Sequence, residues 1–109
     1  MDEWSRGYTL IAGPGEEKTI DAITMEQHVR LRKIQVSFPQ GAAGELEVAV
    51  LYGNRRIAPT EGTISGDGST FTFEVDIPYH KGSSIKIYYK NSNTTEQKRA
   101  YFLFAGEPY

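Results

Sequence analysis

Apolar and polar residues alternate with a period of two along most of this chain. Thr70-Phe71-Thr72-Phe73-Glu74-Val75-Asp76-Ile77 sets Phe71, Phe73, Val75 and Ile77 on one side and the polar residues on the other. Ser84-Ile85-Lys86-Ile87-Tyr88-Tyr89-Lys90 sets Ile85, Ile87 and Tyr89 together, and Glu45 to Tyr52 does the same with Leu46, Val48 and Val50. A strand with one covered and one wet face has this pattern, because successive side chains leave a pleated strand on opposite sides. In Val29 to Phe38 the phase changes midway: Val29 and Leu31 share one register, and Ile34, Val36 and Phe38 share the other. One extra residue near Arg32-Lys33 reconciles the two, which predicts a β-bulge or a strand passing between sheets.

Weaker strands are expected over Tyr8–Ala12, Lys18–Ile23 and Arg55–Ala58, and a last one over Arg99–Ala105. Turn residues punctuate them: Gly13-Pro14-Gly15, Pro39 to Gly44 and Gly53-Asn54. Ser65-Gly66-Asp67-Gly68-Ser69 reads as a hairpin, because Asp-Gly supplies the positive φ that primed turns need. Helix has one candidate, Thr24 to His28, too short to stand in water. The expected fold class is all-β: a two-sheet antiparallel β-sandwich of about eight strands, jelly-roll-like or immunoglobulin-like. Residues 1–109 form one domain in this reading, with residues 1–7 as a short N-terminal arm.

Composition supports a folded core: 39% of the residues are hydrophobic and 24% charged. No apolar run approaches the length of a membrane helix, so no membrane partner is expected. With no cysteine, disulfides, thiolate metal sites and cysteine nucleophiles are excluded. A net charge of −2 gives a near-neutral field, and nucleic acid is not an expected partner. The densest basic group, Arg30, Arg32 and Lys33, reads as a solvated strand face. The first residues, Met1-Asp2-Glu3-Trp4-Ser5-Arg6, begin acidic and carry no apolar stretch of signal-peptide type. That favours a virion or intracellular assembly over secretion without specifying a compartment.

Candidate chemistry is sparse. His28 and His80 are far apart in sequence, and no metal-ligand spacing joins them. Asp67 in Gly-Asp-Gly lacks the regular spacing of a calcium loop, although distant sandwich loops can still combine to hold that ion. Gly13-Pro14-Gly15-Glu16-Glu17-Lys18 only superficially resembles a phosphate loop, since two glutamates repel phosphate and no helix follows. No Gly-x-Ser-x-Gly elbow appears, and Glu45 and Glu47 on one strand face read as solvated rather than as a catalytic pair. Asn93-Thr94-Thr95 is a glycosylation sequon in a polar loop. No catalytic residue, metal or cofactor is expected.

The feature that stands out is aromatic. Arg99 to Ala105 is apolar on both faces, with Ala100, Phe102 and Phe104 on one and Tyr101 and Leu103 on the other. If this strand forms a hairpin with the preceding one, Tyr88, Tyr101 and Leu103 make an outer apolar patch flanked by Lys86 and Lys90. An apolar patch with a charged rim suits an interaction surface, and a central strand covered on both sides by a loop or by the Trp4 segment explains the same pattern within the chain. Trp4, on the N-terminal arm, suits either contact with a neighbour or packing within the chain.

The strand lengths, the Gly-Asp-Gly turn and the unbroken all-β layout resemble small jelly-roll or immunoglobulin-like sandwiches. The paired cysteines of immunoglobulin domains proper are absent. Domains of this architecture occur as virion decoration, capsid and tail proteins, and as carbohydrate-binding modules. The resemblance implies a non-enzymatic structural or assembly protein, a homo-oligomer or part of a larger protein assembly. A glycan bound on a flat aromatic strip is the alternative. No motif carries a functional residue across, and fold likeness alone is a weak guide to function.

Overall fold

A computed structural model describes residues 3–109. The described residues form eight strands: β1 (Trp4–Ala12), β2 (Glu17–Thr24), β3 (Val29–Ser37), β4 (Leu46–Tyr52), β5 (Arg55–Ala58), β6 (Thr70–Tyr79), β7 (Ser84–Asn91) and β8 (Lys98–Pro108). They build two four-stranded sheets, ordered β1-β8-β3-β6 and β2-β7-β4-β5, with every pairing antiparallel. The first strand pairs with the last, the second with the seventh, the third with the sixth and the fourth with the fifth. The chain is thus one long hairpin folded over on itself, and β3·β8 and β4·β7 close the two sheets. This is jelly-roll topology, and it resolves the expected alternatives against the immunoglobulin-like one.

The alternating residues do what their period requires. Leu10, Leu31, Ile34, Val36, Phe38, Leu46, Val48, Val50, Ile85, Ile87, Phe102 and Phe104 fill the space between the sheets and are essentially without solvent contact. Burying each such side chain contributes about 1.5–3 kcal/mol, the main favourable term in this fold. The phase change in β3 is a register irregularity between Leu31 and Lys33, seen against both β6 and β8. It lets Arg32 and Lys33, adjacent in sequence, both reach solvent while Leu31 and Ile34 stay buried. Gly106 of β8 sits at this point, where a Cβ would collide with the carbonyl of Arg30. Only glycine permits that approach.

Three expectations need correction. The last two strands are not a hairpin: β7 lies in the second sheet and β8 in the first. Ser65 to Ser69 is not a hairpin either, because β5 and β6 also lie in different sheets. The Asp-Gly pair does supply its positive φ, 65° at Gly68, but in a loop that crosses between sheets. Asp67 Oδ1 accepts the Gly41 N–H at 2.7 Å, tying that loop to the one after β3. The tight two-residue hairpin is instead Gly53-Asn54 between β4 and β5, with Gly53 at φ 60°. Finally, Trp4 to Gly7 are no free arm. They extend β1 and pair with Leu103 to Gly106 of β8. Met1 and Asp2, the tip of the expected arm, lie outside the described residues.

At one end of the sandwich a polar knot replaces apolar packing. Asn91 is buried, and its Nδ2 donates to the carbonyls of Ala12, Gly13 and Glu96 at 3.3, 3.1 and 2.9 Å. Lys98, also buried, donates from Nζ to the Gly41 carbonyl at 2.8 Å and pairs with Glu45 at 3.2 Å. Buried polar groups are stable only when satisfied in this way. The sequon residue Asn93 belongs to the same knot: its Oδ1 accepts from Thr95 and Glu96, and its Nδ2 donates to Glu45.

Candidate interaction surfaces

The residues of the expected patch divide between opposite sides of the molecule. Because β7 and β8 belong to different sheets, Tyr88, Lys86 and Lys90 lie on the outer face of the second sheet, and Tyr101 and Leu103 on that of the first. What sequence reading placed in one patch is two surfaces.

On the first sheet, cross-strand register reads out the outer face row by row. Thr9, Tyr101, Ser37 and Thr70 form one row, and Gly7, Leu103, Gln35 and Thr72 the next. Neither row contains a charge. Ile11 beside Arg99 borders them at one end, and Ser5, Ala105, Lys33 and Glu74 at the other. β8 is a central strand, yet no loop covers its outer side: Tyr101 is 42% exposed, Leu103 41% and Ile11 51%. Short hydroxyl and amide side chains around two large apolar ones make a flat surface that costs less to desolvate than a charged one. Beyond the bulge, Arg30 and Arg32 contact Asp76 at 2.7 and 3.5 Å, and Arg32 reaches Glu107 at 3.5 Å. Arg30 and Arg32 therefore form an ion-paired border rather than a free cationic patch. The Arg30 guanidinium holds the Asp76 carboxyl below the usual aspartate range.

The outer face of the second sheet is already occupied with itself. Register sets Lys90 between Glu17 and Glu47, Tyr88 between Thr19 and Ala49, and Lys86 between Asp21 and Leu51. The Arg56 guanidinium lies over the Tyr88 ring, 5.1 Å from its centroid, and the Tyr88 hydroxyl donates to Glu17. That hydrogen bond raises the tyrosine's pKa, because ionising the ring loses the donor and meets the carboxylate. Tyr88 is half-buried in a cation–carboxylate clamp.

Trp4 is also half-buried. It packs against the core with Arg6 stacked at 6.0 Å, and lines a groove of 390 Å³ with Glu3, Arg32 and Glu107. A second groove, of 400 Å³, separates β5 from β6 and is lined by Arg55, Arg56, Val75 and Ile77. It exists because β5 is only four residues long and leaves the inward side chains of β6 half-covered. Sequence distance hid one cluster: His28 and His80 come within 5.6 Å between ring centroids. Lys81 N–H donates to His28 Nδ1 at 3.1 Å, and the Tyr109 hydroxyl lies 3.2 Å from His80 Nδ1. The antiparallel pairing of Val29 with Tyr79 and Pro108 brings these termini together, a long-range register that no local spacing announces.

No protein-family model matches this sequence, and no curated protein matches it. Solved structures do resemble it in three dimensions. A chain of the acidic stable capsid of Helicobacter pylori bacteriophage KHP30 superposes with a TM-score of 0.59 at 12% identity, covering 99% of this chain and 95% of that one. A chain from the disulfide-linked pili of Bacillus endospore appendages gives a TM-score of 0.52 at 12% identity, covering 98% of this chain and 89% of that one. At such identities the likeness concerns the fold: two antiparallel sheets in a jelly roll, matched over nearly the whole length of each chain.

Proposed function

We propose that this protein is a non-enzymatic structural subunit, of a virion or a surface appendage, that assembles with further copies of itself through the outer face of the first sheet. The observation that carries the proposal is the uncharged surface around Tyr101 and Leu103, continued by Ile11, on an otherwise charge-rich molecule. A small protein that leaves large apolar side chains on a flat, charge-free sheet gains by covering them. The resemblance to a phage capsid chain and to a pilus chain supports the same reading, since both neighbours belong to assemblies. A glycan platform is less well supported, because Tyr88 and Tyr101 lie on opposite faces and Trp4 is half-buried.

Sedimentation equilibrium tests the proposal. The expected result is a mass above that of the 12.2 kDa chain, rising with concentration. A strict monomer up to about 100 µM, a concentration that would detect even weak association, overturns it.

A further inference from the structure

The two sheets have four free edges, and three of them are protected against pairing with another chain. β6 carries Glu74, Asp76 and Pro78. A two-fold pairing of β6 about Val75 sets Glu74 against Asp76 of the second copy. β5 is four residues long, begins with Arg55-Arg56 and is followed by Pro59. β2 carries Glu17, Lys18 and Asp21, and its register shifts between Asp21 and Ile23. Acidic and basic side chains, proline, shortness and bulges are the devices by which sheet edges avoid one another.

β1 has no acidic residue, proline, bulge or shortness, and a single basic residue. It runs nine residues, Trp4-Ser5-Arg6-Gly7-Tyr8-Thr9-Leu10-Ile11-Ala12, in unbroken register with β8 and with Arg6 as its one charge. Its other side makes no backbone hydrogen bond among the described residues.

We infer that β1 is the assembly edge: it pairs antiparallel with β1 of a second copy about a two-fold axis at Thr9, joining two first sheets into one continuous sheet. The inference rests on the self-assembly reading above and adds to its face contact a contact at the adjoining edge. Side-chain shape selects the register. With Thr9 opposite Thr9 of the second copy, Ile11 of each lies opposite Gly7 of the other, on the outer face. Gly7 has no side chain to fill that position, and the next residue in its row is Leu103. Ile11, 51% exposed in the isolated chain, then reaches across Gly7 to cover Leu103, 41% exposed. A register shifted by one residue toward the N-terminus sets Ile11 beside Ser5 and leaves both apolar side chains in water. Electrostatics permits the pairing too. Each Arg6 lies opposite Ala12 of the other copy, so the two arginines stand about 20 Å apart along the strands, well beyond the screening length of about 8 Å at physiological salt.

The chain's lack of cysteine makes the test direct. Thr9→Cys places one thiol opposite its symmetry mate, on a pair of strands whose facing Cβ atoms stand about 4.5–5.5 Å apart, close enough for a disulfide after small adjustment. Thr72→Cys places the same side chain on the outer face of the protected edge β6 and serves as comparison. Under mild oxidation at equal concentration, Thr9→Cys is expected to form covalent dimer at least about tenfold faster than Thr72→Cys, as proximity requires. Thr9→Lys, which sets two like charges face to face, is expected to weaken self-association about tenfold or more while the circular dichroism spectrum stays that of the parent. If the parent associates but the two cysteine variants cross-link at equal rates, or Thr9→Lys associates as the parent does, β1 is not the edge and the self-assembly reading survives. If the parent is monomeric throughout and Thr9→Cys shows no preference, both fall.

Discussion

The outer faces of the two sheets grow from the same alternation and end as chemical opposites. On the second sheet three outward rows through β7 set opposite charges side by side or clamp a ring: Lys90 between Glu17 and Glu47, Tyr88 under Arg56 and against Glu17, and Lys86 beside Asp21. On the first sheet the two central rows hold hydroxyls, an amide, a glycine, Tyr101 and Leu103, and no charge. The inward halves of both sheets are alike, because both must fill one core. The outward halves are free of that demand. What is placed there reflects solubility on one side and, in our reading, contact on the other. An exposed tyrosine is thus not informative by itself: Tyr88 has its partners within the chain, and Tyr101 does not.

The strongest way to break this contrast is to make the bare face resemble the charged one. Tyr101→Lys combined with Leu103→Lys is expected to weaken self-association about a hundredfold, or about 2.7 kcal/mol. Folding stability should stay within about 1 kcal/mol, as is usual for exposed positions. Tyr88→Phe on the opposite sheet is the control and should leave the mass distribution unchanged. Sedimentation velocity reads both, and equal effects from the two faces would remove the distinction between them.

A smaller effect is expected where the bare face meets its ionic border. Gly106 allows β8 to pass close to Arg30, at the irregularity that turns both Arg32 and Lys33 outward. Gly106→Ala adds a methyl group against backbone and should cost about 1–3 kcal/mol of stability, measured as a lowered urea midpoint. An unchanged midpoint would mean that the border does not depend on this approach.

The smallest effect is electrostatic and belongs to the turn between the two sheets. Glu16 accepts from Tyr89 at 2.7 Å and from the Gly13 N–H at 3.0 Å, and pairs with Lys18 at 3.1 Å. The Tyr89 hydrogen bond, then that from Gly13 and then Lys18, hold its carboxyl at about 2. The same contact, after burial, pushes Tyr89 up to about 12. A carboxyl whose folded pKa is depressed stabilises the protein above the ordinary glutamate range. That contribution is lost as the pH falls from this range toward about 2. Glu16→Gln should therefore lower the urea midpoint slightly near neutrality, and the gap to the parent should shrink on acidification. A gap that widens in acid would contradict the assignment.

Much of this could be read from the chain. The strand positions, the bulge at Arg32 and the inward set of β4, β6 and β7 follow from a local period of two, which each strand shows independently of its neighbours. The apolar character of both faces of Arg99–Ala105 marked β8 as unusual, and its outer pair is indeed uncovered. The half of the candidate patch on β7 was misplaced because adjacency in sequence suggested a hairpin. Asp67-Gly68 misled for a similar reason, since a positive φ serves a crossing loop as well as a tight turn.

Sequence alone determined which apolar residues turn inward, because alternation and hydrophobicity act residue by residue and need no knowledge of a partner strand. It could not determine which strands pair. Folding the chain as one long hairpin puts β1 against β8 and β3 against β6, and those long-range pairings decide which side chains share an outer row. Only there do Gly7, Thr9, Tyr101 and Leu103 become neighbours, and Tyr88 is carried to the opposite side. Surface chemistry depends on sums over strands distant in sequence, and tertiary structure alone performs that sum.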